Sequence, residues 1–346
     1  MAGNNFCIEI NESYIRVGDV KKEGQLFATD HLGAVETLPA FLPGDSEKVI
    51  EEQAGYVYNL LNQIGLKKKT VGIVVPDSYT FSQITSMPKL NEKEMLSAIK
   101  FQADQFIPMP LDEINLDIEL LHENVQNKSM LTLIAAAPKK LIEKIEKLLD
   151  LVGLEAETVE TEISAIGRVA SEIIKQDPTS QDAISKGVLF VNFGFSSTSL
   201  YFFDQKLGIF TYSHNFNIGY NLFVKEIQVN LNIDPKKSIE LLKGFGLAQT
   251  ASFRLDTILA PGIKDFSSEL QRFLNELHEK YHGQVTEVLV FNESDRFHSF
   301  EQIIGKQMGT QARLLDLYPF FVKNNVVESF KPMLGSFAAV VGGSLR

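Results

Sequence analysis

The chain has 346 residues, 44% of them hydrophobic and 22% charged, with a formal net charge of -11. That length exceeds one simple core and points to two or more domains. The acidic balance, with Lys67-Lys68-Lys69 as the only compact basic run, argues against nucleic acid as a partner. A single cysteine, Cys7, leaves no intramolecular disulfide framework, and no signal peptide or apolar run of ~20 residues is visible. A meander of short strands is predicted first: Phe6, Ile8 and Ile10 alternate, then Tyr14, Ile15 and Val17, then Leu26 and Phe27. A helix over Ser46–Ile64 places Val49, Tyr56, Leu60 and Ile64 on one face. Gly65 caps it, and Thr70–Val75 reads as a strand buried on both sides.

From Pro76 to Glu157 the pattern becomes a compact α+β unit. A strand over Thr80–Thr85 precedes an amphipathic helix, with Asn91 and Glu94 as its capping box and Leu96, Ile99, Ala103 and Phe106 as its apolar stripe. Pro108 and Pro110 forbid the helix from continuing past the elbow Ile107-Pro108-Met109-Pro110. Ile114, Leu116, Ile118 and Leu120 then alternate with Asn115, Asp117 and Glu119, as in a strand with one buried face. A strand over Met130–Ala136 follows, then a helix over Lys139–Leu151 that closes on Gly153. The helix Glu162–Lys175 enters a polar linker, Gln176–Lys186, which marks a domain boundary.

The second half opens with strands over Val188–Phe193 and Ser197–Phe203, turning at Gly194, and a third over Leu207–Ser213. A helix over Tyr220–Leu231 follows Gly219, and Asp234-Pro235 opens another that ends at Gly244 and Gly246. A helix over Ser267–His282, a strand over Glu287–Phe291 and a closing helix over Lys331–Val341 complete the pattern. Two halves that each begin with a meander followed by helices make a duplicated α/β plan, with a cleft between them as the natural ligand site. His278-Glu279-Lys280-Tyr281-His282 formally matches the zinc motif H-E-x-x-H. Its histidines flank the apolar stripe of Phe273, Leu277 and Tyr281, so no metal is expected there. Cys7 lies on an apolar strand and reads as a packing residue, and no catalytic residue is expected.

The stretch Ala98–Leu121, AIKFQADQFIPMPLDEINLDIELL, resembles almost residue for residue the signature of the PilM family, actin-like proteins of type IV pilus assembly. Weaker similarity covers Val159–Arg168, Gly219-Tyr220-Asn221-Leu222, Asp234–Gly244 with Glu240 and Lys243, and Gly335–Arg346. The resemblance implies an α/β, duplicated actin-like (ribonuclease H-like) two-lobed fold with an inserted α+β subdomain. Residues 1–75 would form the first core, completed by about 158–180 and 325–346. Residues 76–157 would be the insertion, and 187–324 the second core, with a helical subdomain at about 231–284. It also implies a cytoplasmic protein, peripheral to the inner membrane through partners and without direct membrane insertion. Such a protein would grip the N-terminal cytoplasmic peptide of a PilN-like membrane protein and couple the assembly motor complex to it. Self-association is a further partnership that actin-like folds suggest. The expected peptide groove, between the first core and the insertion, takes in Phe101, Gln105, Phe106, Ile107, Pro108 and Pro110. Asp112, Glu113, Asp117 and Glu119 would favour a basic peptide.

In actin-like proteins the first hairpin of each half carries a phosphate loop of the form Asp-x-Gly followed by small polar residues. Here the first loop has Glu9 for Asp and Asn11 for Gly. Glu12 places a carboxylate where phosphate oxygens would lie, and Ser13 and Arg16 follow. The second, Asn192 to Thr198, keeps Gly194 and the hydroxyls of Ser196, Ser197 and Thr198 but loses the acid at Asn192, and Gly219 stands downstream. The adenosine-side Gly-Gly is replaced by Asn292-Glu293-Ser294-Asp295-Arg296. The expectation is a vestigial nucleotide cleft, with no cofactor and no hydrolysis, in a protein that acts by binding. ATP with Mg²⁺ in a nucleotide-controlled switch is the alternative. An FtsA-like cell-division protein is a third reading, disfavoured because no amphipathic membrane helix follows Arg346.

Overall fold

The computed structural model describes residues 5–90, 94–95, 97–99, 107, 109–125, 127–178, 184–247 and 254–346. They fall into two compact units, residues 1–172 with 320–331 and 337–346, and residues 173–319 with 332–336. Among the described residues no helix is long and apolar enough to cross a membrane.

In the first unit the elements run β1 (Phe6–Ile10), β2 (Tyr14–Gly18), a small ribbon of β3 (Lys21–Glu23) and β4 (Leu26–Ala28), and β5 (Leu32–Glu36). Then come α1 (Glu47–Gln63), β6 (Thr70–Val75), β7 (Phe81–Pro88), β8 (Ile114–Asn124), β9 (Ser129–Pro138), α2 (Lys139–Val152), β10 (Glu155–Thr161) and α3 (Glu162–Ile173). Five strands form a mixed sheet in the order β10-β6-β1-β2-β5. β1 runs antiparallel to β2 and parallel to β6, and β6 is parallel to β10. The nearly continuous apolar run of β6 follows from burial on both faces: Ile73 and Val71 are fully enclosed, as is Ile8 of β1, with Val57 of α1 and Leu148 of α2 in the same core. Gly153 ends α2 in the left-handed conformation at φ 74, which returns the chain to the sheet edge as β10.

This arrangement narrows the insertion expected over residues 76–157. Leu141, Ile145, Leu148 and Leu149 of α2 belong to the core of the five-stranded sheet, and the buried Lys144 donates to the carbonyls of Leu42 and Gly44. β10 belongs to that sheet as well. Its exposed Glu155 and Glu157 hide the strand from a hydrophobic pattern, because an edge strand needs few apolar residues. The inserted layer is a three-stranded antiparallel sheet, β7-β9-β8, whose apolar face gathers Ile99, Ile107, Ile114, Ile134 and Ala136. The predicted capping residue Asn91 and the stripe residues Leu96, Ala103 and Phe106 lie outside the described residues.

The second unit repeats the sheet. β11 (Ser185–Phe193), β12 (Thr198–Asp204), β13 (Ile209–Phe216), β14 (Gly283–Asn292) and β15 (Ala312–Leu314) take the order β13-β12-β11-β14-β15, with the same antiparallel and parallel pairings in the same places. Helices α4 (Tyr220–Leu231), α5 (Pro235–Phe245), α6 (Leu255–Tyr281) and α7 (Phe300–Met308) accompany it. Asp234 caps α5 by accepting from the Lys237 amide, as its Asp-Pro start suggests. Phe193 stacks on Phe300, ring centres 4.0 Å apart, inside an aromatic core. α6 begins well before the expected Ser267. Pro261 and Gly262 both lie inside the helix, and Gly262 lets the Phe223 ring approach. At its other end His282 is left-handed, φ 50, so His278 and His282 do not share a continuous helical turn. The predicted closing helix is two segments, a 3₁₀ stretch over Lys331–Phe337 in place of its start and an α-helix over Ala338–Ser344.

Candidate functional site

The first unit holds a cavity of about 230 Å³ between the inserted sheet and the edge of the core sheet. β8 is the outer strand of the one and β10 the outer strand of the other, and among the described residues neither outer edge is paired. One wall carries Asn115, Asp117 and Glu119 of β8, and the floor carries Ala137, Ala135 and Leu133 of β9. These residues are register partners, Asn115 opposite Ala137, Asp117 opposite Ala135, and Glu119 opposite Leu133. Alanine opposite a longer polar side chain leaves the space that the cavity occupies. Val159, Glu160 and Thr161 of β10, with Ser164 and Arg168 of α3, make the other wall. Glu162, at the joint of β10 and α3, accepts from the Asp77 amide and pins that wall.

The two walls differ in charge. Asp117 and Glu119 are exposed, and Glu119 Oε2 accepts from Ser164 Oγ at 3.1 Å. Opposite them, the Glu160 carboxylate is paired with Arg168 and lies 3.7 Å from Arg346 Nη1, while Arg168 Nε donates to the Gly342 carbonyl at 2.8 Å. Both guanidiniums are therefore engaged on their own side. Thr161 is 4% exposed and its hydroxyl has no hydrogen-bond partner. A buried hydroxyl without a partner costs about 1–3 kcal/mol.

Of the groove residues read from the sequence, Phe101, Gln105, Phe106 and Pro108 lie outside the described residues. Ile107 is buried in the apolar cluster of the inserted sheet, and Pro110 precedes the 3₁₀ turn Leu111–Glu113; neither lines the cavity. Along β8 Ile114, Leu116 and Ile118 pack with Ile107 and alternate with Asn115, Asp117 and Glu119, although Leu116 also borders the cavity. Glu160, Thr161, Ser164 and Arg168 were missed as site residues. Their signal in the sequence is slight: a polar strand that runs without a break into a helix.

In the loops read from the sequence as nucleotide loops, several donors and acceptors bond one another. In the first, Arg16 Nη1 and Asn11 Nδ2 both donate to Glu9 Oε1 at 2.9 Å, with Glu9 and Arg16 buried. Asn11 Oδ1 accepts the Ser13 and Tyr14 amides, which removes two donors from any phosphate cradle. In the second, the Gly194 amide donates to the Ser197 carbonyl, and Thr198 Oγ1 donates to the Ile218 carbonyl. The Tyr220 and Asn221 amides at the start of α4 donate to the carbonyls of Gly194 and Phe195, and Gly219 packs against the Phe195–Ser196 backbone. Asn192 accepts from Asn292 Nδ2 at 3.0 Å, and the buried Glu293 pairs with Arg296, whose guanidinium lies over the Tyr220 ring. The carboxylates of Glu9 and Glu293 are thus each matched by a guanidinium, of Arg16 and Arg296 respectively.

A family model described as type IV pilus assembly protein PilM matches residues 7–340. Among solved structures, a chain of the PilM–PilN type IV pilus biogenesis complex is similar at a TM-score of 0.80 and 17% identity, covering 100% of this chain and 99% of that chain. Ethanolamine utilization protein EutJ from Carboxydothermus hydrogenoformans is similar at a TM-score of 0.54 and 10% identity, covering 99% of this chain and 89% of that one. These likenesses agree with the duplicated strand order of the two sheets and with the expected actin-like α/β class.

Proposed function

Because the chain belongs to the type IV pilus assembly protein PilM family, we propose that it serves pilus assembly as a binding platform and holds the N-terminal cytoplasmic peptide of a PilN-like inner-membrane protein in the cavity between β8 and β10. The observation that carries this reading is the pair of strand edges on one cavity, unpaired among the described residues, which suits an extended segment that brings its own backbone donors and acceptors. The similar solved complex contains PilN, which supports a partner of that kind. In this reading the protein sits at the cytoplasmic face through its partner. The internal bonding of Glu9, Asn11 and Arg16 supports action without nucleotide.

Calorimetric titration with a PilN-type N-terminal peptide tests the proposal. Binding in the micromolar range, equal with and without Mg·ATP and abolished by Ala135→Arg on the cavity floor, is the expected result. Absence of peptide heat, or binding that requires ATP, would overturn it.

A further inference from the structure

We propose that each unit carries a fixed counterion where an actin-like nucleotide loop would recruit Mg²⁺: Arg16 in the first unit and Arg296 in the second. The fold is then held without Mg·nucleotide. This device is independent of the peptide-cavity reading above and is tested without a peptide. The two units repeat one arrangement, a buried glutamate paired with an arginine whose guanidinium lies over a tyrosine ring. In the first, Glu9 is 1% exposed and lies 2.9 Å from Arg16 Nη1, and the guanidinium carbon is 5.5 Å from the centre of the Tyr14 ring. In the second, Glu293 is 2% exposed and lies 2.6 Å from Arg296 Nη1, and the guanidinium carbon is 4.7 Å from the centre of the Tyr220 ring. A carboxylate this deep needs a positive partner, because an isolated interior charge is far more costly than a paired one. A planar guanidinium suits both the carboxylate and the ring face.

Both cations are delivered locally. Arg16 is the cross-strand neighbour of Glu9, so the register of the β1–β2 hairpin sets the first pair. Arg296 follows Glu293 by three residues in the 3₁₀ turn Glu293–Arg296, where side chains at that spacing stand over one another. Neither pair needs a ligand in order to form. The amides around them are closed in the same way. Asn11 Oδ1 accepts from the Ser13 and Tyr14 amides, and Asn11 Nδ2 donates to the same Glu9 oxygen as Arg16. A helix start attracts phosphate through its amides, but those of Tyr220 and Asn221 on α4 donate to the carbonyls of Gly194 and Phe195. A Mg²⁺ arriving at Glu9 or Glu293 would compete with a guanidinium for one carboxylate and be repelled by it.

Thermal unfolding of the full chain tests this, with Mg²⁺ and Mg·ATP as the probes. The wild-type midpoint should stay within about 1 °C at about 5 mM Mg·ATP, where a ligand with a Kd of about 50 µM would raise it by several degrees. Arg16→Ala should lower the midpoint, and about 10 mM Mg²⁺ should recover about half of that loss as a hydrated cation takes the guanidinium's place. Sodium chloride of equal ionic strength should not. Glu9→Gln with Arg16→Ala has no carboxylate to neutralise and should not respond to Mg²⁺. Arg296→Ala, alone and with Glu293→Gln, repeats the comparison at the more exposed arginine and decides the matter if Arg16→Ala does not fold. A wild-type midpoint raised by Mg·ATP would overturn the proposal. So would a loss that Mg²⁺ does not recover, or a recovery that persists without the glutamate, since the arginine would then serve packing and not charge.

Discussion

Glu9 and Arg16 are direct cross-strand partners in the β1–β2 hairpin, 1% and 4% exposed, with an Nη1–Oε1 distance of 2.9 Å. A buried ion pair is worth little against an apolar replacement of both partners, but breaking it strands a charge. Arg16→Leu should therefore destabilise the protein by about 3 kcal/mol, and the pair Arg16→Met with Glu9→Gln by clearly less, as urea unfolding would read. Equal losses would mean that the guanidinium does not compensate Glu9. The sequence identifies Glu9, Asn11 and Arg16 as departures from a phosphate loop, but not that they bond one another. That follows from the turn at residues 11–13, whose geometry places Arg16 opposite Glu9, and turn geometry is set by hydrogen bonds such as Asn11 Oδ1 to the Ser13 and Tyr14 amides. In the same way Asp117 and Glu119 are visible as an acidic alternation. Their setting is not, because the cavity also needs β10, Thr161 and α3.

Between elements, the C-terminal helix Ala338–Ser344 packs closely through its glycines. A Cβ on Gly342 would lie 1.8 Å from the Ala165 carbonyl oxygen of α3, and one on Gly343 would lie 2.3 Å from Cys7 Sγ of β1. Gly342→Ala should cost about 1–3 kcal/mol in thermal or urea unfolding, since the contact is with backbone and cannot yield cheaply. An unchanged midpoint would show that the helix is free to shift. In the second unit Tyr212 of β13 donates to Glu276 Oε2 of α6 at 2.6 Å, and this bond is the first cause holding the Glu276 carboxyl below its ordinary value. A depressed folded pKa adds stability above the unfolded value and loses it as pH falls through the folded one. Tyr212→Phe should thus cost about 1 kcal/mol at pH 7, a figure reduced for a carboxylate partly screened by solvent, and the gap should close below about pH 4. A gap independent of pH would assign the effect to packing. The strands with apolar runs, the glycine-ended helices and the Asp-Pro start of α5 were legible. β10 and the first turns of α6 were not, because packing against β6 and Phe223 overrides their local composition.

At the scale of the molecule, two sheets share one strand order, and that duplication was legible from two meanders each followed by helices. α2 falls within the span expected for the insertion but packs in the core of the five-stranded sheet, since its amphipathic pattern is the same whichever sheet it covers. The outer edge of β8, unpaired among the described residues, has a consequence for the protein by itself. An unpaired strand is a template for aggregation, and proteins blunt such edges with charge. Asp117 and Glu119, exposed on β8, would meet their counterparts if two copies paired edge to edge about these residues, so they would act as gatekeepers against self-assembly. Screening removes that protection. The chain alone should stay monomeric in dilute buffer and associate as salt rises toward about 1 M, a trend visible by light scattering and suppressed by an occupying peptide; association that weakens with salt would give the edge no such role.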